Sequence, residues 1–250
     1  MSVPAPIWVG FGAAAAALLA STRATARPPA GPVPDRAEYL RRWSPLHGGY
    51  DPAGTTVTGR WLGLVYLAAR PLGARGVAAD ALTGWGVLLS LAVPAITGYR
   101  GHWPLLAALI LVLAGVLDNL DGAVAVLTGR ASGFGYVLDS VADRVSDAAA
   151  VVALWALGAP AWLCLAGGSA CWMQEYARAR AGAAGMTELG VLTVFERPTR
   201  ILLTAFVLLG GGLLTGSAPG LATTGAAAGL VLAAAALAQL LHAAHRRLDH

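Results

Sequence analysis

Six apolar runs dominate this chain, at about 80–98, 103–127, 135–157, 159–181, 200–216 and 219–244. Each lies near the roughly 20 residues that a helix needs to cross a hydrocarbon core, the fifth being the shortest. A mean hydropathy of +0.64 with only 12% charged residues excludes an ordinary soluble domain. The expected fold is therefore an all-α integral membrane protein with six transmembrane helices. The connections "TGYRGH", "GAP" and "TGSAPG" carry one basic residue, Arg100, whereas the opposite side holds Arg60, Arg70, Arg75, Arg130, Arg178, Arg180, Arg197, Arg200, Arg246 and Arg247. That asymmetry places both ends of the six-helix unit in the cytoplasm.

Ahead of these runs the pattern changes. Residues 7–20 are apolar but only 14 long, and they lack the basic start of a secretory signal, so cleavage is not expected. A re-entrant or loosely attached helix and a misread start both stay open. "RPPAGPVPDR" at 27–36 reads as a linker. "RAEYLRRW" and "GRWLGLVYLAARPL" mix arginine with Trp, Tyr and Leu, as an amphipathic helix lying in the membrane interface does. The chain thus divides into an N-terminal region, 1–56, and a six-helix domain, 57–250. The eight tryptophans, mostly near predicted helix ends, fit an interfacial belt. Cys164 and Cys171, seven apart, would lie about 10 Å from each other on a helix, too far for a disulfide, and read as small buried hydrophobes. All 17 basic residues are arginine, which reflects composition rather than function. His47, His102, His242, His245 and His250 show no ligand spacing and are given no role. Nothing points to a nucleic-acid partner.

Against this background, residues 117–147 hold five of the 13 acidic residues: Asp118, Asp121, Asp139, Asp143 and Asp147. An ionised aspartate at the centre of a spanning helix costs about 2.5–3.5 kcal/mol, so five together need partners. One could be solvated at a cytoplasmic helix end, or paired with Arg130 or Arg144. Four at this spacing are harder to dismiss. Asp118 and Asp121 are i, i+3 and Asp139 and Asp143 are i, i+4, so each pair shares a helix face. "TGRASG" between them is a turn that returns the second helix antiparallel to the first. Converging carboxylates repel unless a cation intervenes, and hard oxygen donors suit Mg2+ or Mn2+, held as a pair. Gly122 leaves room beside Asp121 for a ligand or a second helix. Asp147, with Arg144 three residues before it, reads as a supporting partner. Intramembrane acidic clusters also serve ion-coupled transporters, but here they sit on two adjacent helices near one membrane face, without paired broken helices at the midplane.

Asp118, Asp121, Gly122, Ala125, Gly135, Asp139 and Asp143 together resemble the signature of the CDP-alcohol phosphotransferases. The resemblance extends over roughly 60–245. It implies that a CDP-linked lipid, CDP-diacylglycerol, donates its phosphatidyl group to an alcohol and releases CMP. Asp118, Asp121, Asp139 and Asp143 would hold two divalent ions, with Asp143 also the candidate general base. Donor contacts would come from "DALT" (Asp80, Ala81, Leu82, Thr83), from Asp118, Gly122 and Ala125, and from Ser132. Asp80 and Ser132 also suit helix caps, Asp80 as an N-cap before an apolar run. The family usually has arginine where this chain has Val126; Arg130, four residues on, is expected to supply that charge to the donor diphosphate.

"EYARARAG" and "FERPTR" are similar to stretches of the actinobacterial phosphatidylinositol phosphate synthases. By that resemblance Arg178, Arg180, Arg197 and Arg200 would bind the acceptor phosphate, since guanidinium forks suit phosphate oxygens. Anchoring at the positive-inside face is the plainer reading of the same arginines. Glu175 stands where a small polar residue is usual, and the last helix offers Gln239, Leu240 and His242 without the family's arginine. Inositol phosphate, glycerol phosphate and other polyols remain open as acceptors, as does a relative that binds metal without turnover. The resemblance also implies a homodimer in the plasma (inner) membrane with a cytoplasmic site.

Overall fold

The computed structural model describes residues 4–29, 31–46, 52, 56–186 and 192–248. His47 and His250 lie outside the described residues, as does part of the predicted 1–56 region. Among the described residues the chain is helical, with no strand. In order come α1 (Ala5–Thr25), α2 (Arg36–Leu46), α3 (Thr56–Ala74), α4 (Ala79–Thr97), α5 (Trp103–Thr128), α6 (Gly133–Leu157), α7 (Ala161–Ala183), α8 (Arg197–Leu213), a 3-10 turn (Thr215–Ser217) and α9 (Ala218–Leu248). The six predicted spans coincide with α4 to α9 within a few residues.

Among the described residues, four helices are long and apolar enough by themselves to cross a membrane: α1, α4, α5 and α9 together with its 3-10 turn. The chain is a multi-pass membrane protein. Helices α6 and α7 carry charged clusters, and α8 has only 17 residues. The N-terminal run differs from its sequence reading, because α1 has 21 residues rather than 14. Its extension runs through the "STRAT" tail, where Thr22 and Thr25 donate their hydroxyls to the carbonyls of Leu18 and Ser21, each at 2.7 Å. Threonine polarity is absorbed inside the helix in this way and ceases to mark its end.

The chain forms two compact units. One, the aspartate unit, comprises Pro6–Leu88 and Ala114–Asp143; the other, the arginine unit, contains Leu89–Leu113 and Arg144–His250. In the aspartate unit Asp35 caps α2, accepting the Glu38 amide at 2.8 Å, as an aspartate three residues before glutamate predicts. Leu62, Val65, Tyr66 and Ala69 of α3 share one helical face and are buried with Leu120, Ala123, Val124 and Leu127 of α5. Tyr39 of α2 joins this core 5.6 Å from the ring of Tyr66, whose hydroxyl donates to the Pro34 carbonyl at 3.1 Å. Trp85 of α4 donates to Thr22 at 3.2 Å and so ties α1 to the same unit.

The arginine unit is built on small residues. Ala222, Ala226, Ala233 and Ala236 are buried along α9, and Gly225 lets α8 come so close that a Cβ there would clash with Val207. Between lipid-exposed helices no water is expelled on contact, so close approach and dispersion hold them together, and small residues permit it. Cys164 and Cys171 are buried free thiols, as their spacing predicted.

Candidate metal centre and arginine network

The acidic cluster depends on how the α5–α6 turn is closed. Gly129, at φ +66, ends α5 with the bond pair typical of a left-handed C-terminal cap: Gly129 N–H to Val126 O at 3.3 Å and Arg130 N–H to Ala125 O at 2.9 Å. Ser132 then opens α6, its hydroxyl accepting the Gly135 amide at 3.0 Å. Asp118 and Asp121 of α5 thereby meet Asp139 of α6, with one carboxylate oxygen from each within 4.8 Å of the other two. Asp143 lies one turn further along α6, in the same unit, and is not a member of this three-carboxylate group.

Asp121 is the most enclosed of the three, at 4% exposure, and Thr83 of α4 donates to its Oδ2 at 2.6 Å. The Gly122 amide lies 2.6 Å from Asp121 Oδ1. Gly122 is exposed, and a Cβ built there would meet nothing within 4 Å. Among the described residues, no second helix fills the space directly beside Gly122. A divalent ion with oxygens at about 2.1 Å holds its ligand atoms about 3.0–4.2 Å apart. Three oxygens already within 4.8 Å reach that spacing by small side-chain rotations, so these residues fit Mg2+ or Mn2+.

The residues read as donor contacts fall into two groups. Asp80 is exposed, with Oδ1 3.9 Å from the position of a Cβ on Gly135, beside Ser132 Oγ. It sits inside the first turn of α4, not at its cap, because the amides of Ala81 and Leu82 bond to Ala78 O. Ala81 and Leu82 are buried, Leu82 within the α3–α5 core. The Thr83 hydroxyl is directed to Asp121, which makes it a support of the acidic cluster. Ala125 is half-buried beside the open Gly122 face. Val126 is buried in the α3–α5 core. Arg130 donates to the Arg27 carbonyl at 2.9 Å and, with Arg27, Ala24 and Thr25, lines a cavity of about 370 Å³. Arg27 is pinned there by its own amide bond to Gly76 O, at 2.9 Å.

In the arginine unit the four predicted acceptor arginines separate. Arg200 is buried: Nη1 donates to Asp147 at 2.9 Å, Nη2 to Glu175 at 2.7 Å and to Gln174 at 3.2 Å, and Nε to Phe195 O at 3.1 Å. Arg178 pairs with Glu196 at 2.8 Å and with Glu175 at 3.6 Å. Arg180 is exposed on α7, and Arg197 is the half-buried first residue of α8. Arg144 approaches Asp147 at 3.3 Å and Glu175 at 3.5 Å. Glu196 precedes α8 and also accepts the Thr193 amide and hydroxyl, at 2.8 and 2.7 Å; Thr193 in turn accepts from Gln174 at 2.9 Å. Gln239 of α9 accepts the Val194 amide at 3.0 Å, a positioning role where the resemblance looked for an arginine.

Sequence reading missed Gln174 and Thr193, which give no motif signal. It gave Glu175 only as a mismatch, and it gave no role to His102, whose Nδ1 lies 2.8 Å from Gly212 O.

The model of the CDP-alcohol phosphatidyltransferase family matches residues 77–241. The archaetidylinositol phosphate synthase of Pyrococcus horikoshii is 35% identical over 140 residues, covering 54% of this chain and 70% of the relative. The phosphatidylinositol phosphate synthase of Mycobacteroides abscessus is 31% identical over 154 residues, covering 56% of this chain and 64% of the relative. Among solved structures, the Mycobacterium tuberculosis phosphatidylinositol phosphate synthase with CDP-DAG bound is similar at a TM-score of 0.61 and 25% identity, over 72% of this chain and 92% of that one. The same enzyme in complex with manganese and citrate gives 0.62, over 72% and 88%.

Proposed function

The chain belongs to the CDP-alcohol phosphatidyltransferase family, a class of metal-dependent transferases, and from that premise we propose that it transfers the phosphatidyl group of CDP-diacylglycerol to a hydroxyl of inositol phosphate, releasing CMP. The observation that carries this reading is the trio Asp118, Asp121 and Asp139 beside the open face at Gly122. These three, joined by Asp143, would hold two divalent ions. Bound there, the ions would neutralise the diphosphate and stabilise the charge that develops on its oxygens. Asp143 takes the proton of the acceptor hydroxyl, whose oxygen forms the new bond to the lipid-bearing phosphorus. The bond from that phosphorus to the CMP oxygen breaks, and CMP leaves with the electron pair. Asp80, Ser132 and Arg130 would contact the donor. Their support is the exposure of Asp80 next to Ser132 and the paired arginines of the cavity. The names of the relatives support a phosphorylated inositol as the acceptor. The arginine asymmetry supports six spanning helices, α4 to α9, in the plasma membrane with the site and both ends cytoplasmic.

The test is CMP release from CDP-diacylglycerol by the purified protein with Mg2+ or Mn2+, offering inositol phosphate, inositol, glycerol phosphate and serine in turn. Release is expected with inositol phosphate and should be lost in Asp143→Asn. Release only with glycerol phosphate would move the acceptor assignment; ion flux without any release would favour a transporter.

A further inference from the structure

Three guanidinium groups in the arginine unit converge on one carboxylate. Among the described residues Glu175 touches Arg144, Arg178 and Arg200 together, while Asp147 touches Arg144 and Arg200 and Glu196 touches Arg178. The contacts are unequal. Arg200 bonds Glu175 at 2.7 Å, but Arg144 and Arg178 stand off at 3.5 and 3.6 Å, beyond good hydrogen-bond length. Asp147 and Glu196 hold the arginines more tightly, at 2.9 Å to Arg200 and 2.8 Å to Arg178. The Glu175 side chain is also more open than that of Asp147, at 23% against 9% exposure.

A carboxylate offers two oxygens and one charge to three forks. A phosphate monoester offers three terminal oxygens and up to two charges, which is the better match for three converging guanidiniums. Asp147 and Glu196 would keep Arg200 and Arg178 in place if Glu175 swung out, and the 3.5–3.6 Å contacts are the ones lost at least cost.

We propose that Glu175 is an internal stand-in for phosphate: its carboxylate occupies the arginine cluster of the empty protein, and a phosphorylated acceptor must displace it to bind. Glu175 thereby sets the affinity for phosphorylated over unphosphorylated alcohols. Removing Glu175 takes one negative charge away from beside Arg144, Arg178 and Arg200. This rests on the phosphorylated-acceptor reading above.

The experiment compares wild type with Glu175→Gln and Glu175→Ser in lipid nanodiscs, by calorimetric titration with inositol phosphate, inorganic phosphate and unphosphorylated inositol, without CDP-lipid. Both variants should bind the two phosphates about tenfold more tightly and leave inositol unchanged. In turnover the KM for inositol phosphate should fall with kcat within about twofold. If Glu175 instead merely braces the arginines, both variants bind phosphate more weakly and KM rises, which overturns the proposal. Should Glu175→Gln fail to fold, Glu175→Ser carries the same comparison. Because the titration needs no turnover, it stays informative if wild type releases no CMP with inositol phosphate. That failure would count against the acceptor reading alone, whereas unchanged phosphate affinity in both variants would count against Glu175.

Discussion

Thr83→Val isolates the support of the acidic cluster from the cluster itself. Valine keeps the branched shape of threonine and exchanges only the hydroxyl for a methyl. Thr83 is 7% exposed, and its hydroxyl sits 2.6 Å from Asp121 Oδ2 but 3.2 Å from Ala79 O. One proton cannot serve both acceptors fully, and the shorter, charged contact takes it. A hydrogen bond to a charged group contributes about 1.5–3 kcal/mol, which converts to roughly 10- to 150-fold in an equilibrium constant. Outer partners of metal ligands generally cost 10- to 100-fold when removed, in the same range. The assay is Mn2+ binding, followed by the loss of the free-ion EPR signal, alongside the metal dependence of CMP release. Thr83→Val should move both midpoints to about 10- to 100-fold higher metal, and Thr83→Ser should restore them. A folded Thr83→Val protein with wild-type Mn2+ affinity would refute the assignment. If it also showed a raised KM for CDP-diacylglycerol, the residue would be a donor contact, as the "DALT" resemblance first implied.

Two stability predictions follow from the arginine unit. Arg200→Met leaves buried Asp147 with Arg144, at 3.3 Å, as its cation among the described residues and should cost about 3–5 kcal/mol, read as a fall in the thermal midpoint in detergent. The double variant with Asp147→Leu should recover part of that loss, and an undisturbed single variant would contradict it. Gly225→Ala drives a methyl into a Val207 methyl and should cost about 1–3 kcal/mol. Val207→Ala in the same chain relieves the clash, so the pair should be more stable than Gly225→Ala alone.

The sequence carried the large features because they depend on periodicity and spacing along one element. Apolar length located α4 to α9, and the i, i+3 and i, i+4 aspartates joined by a glycine turn located the cluster. The N-terminal helix escaped the same reading, since threonines that bond back to their own helix look polar in a hydropathy window. The fate of Val126 was equally hidden. It follows Ala125 in the signature, yet its side chain is committed to the α3–α5 core. An arginine placed there would have to leave that core, so the missing family charge is not a simple exchange.

The charge network shows where spacing stops being informative. Arg144 with Asp147 and Arg178 with Glu175 lie three residues apart on single helices, so helical geometry alone pairs them. Arg200 reaches Asp147 across 53 residues and Glu175 across 25, and only the packing of α6, α7 and α8 creates those contacts. The motif marked Arg200 as a candidate phosphate contact but could not reveal that two carboxylates already surround it. Glu175 changed meaning for the same reason. Along the chain it is a departure from a pattern of small polar residues; among three guanidiniums it is their shared counter-charge.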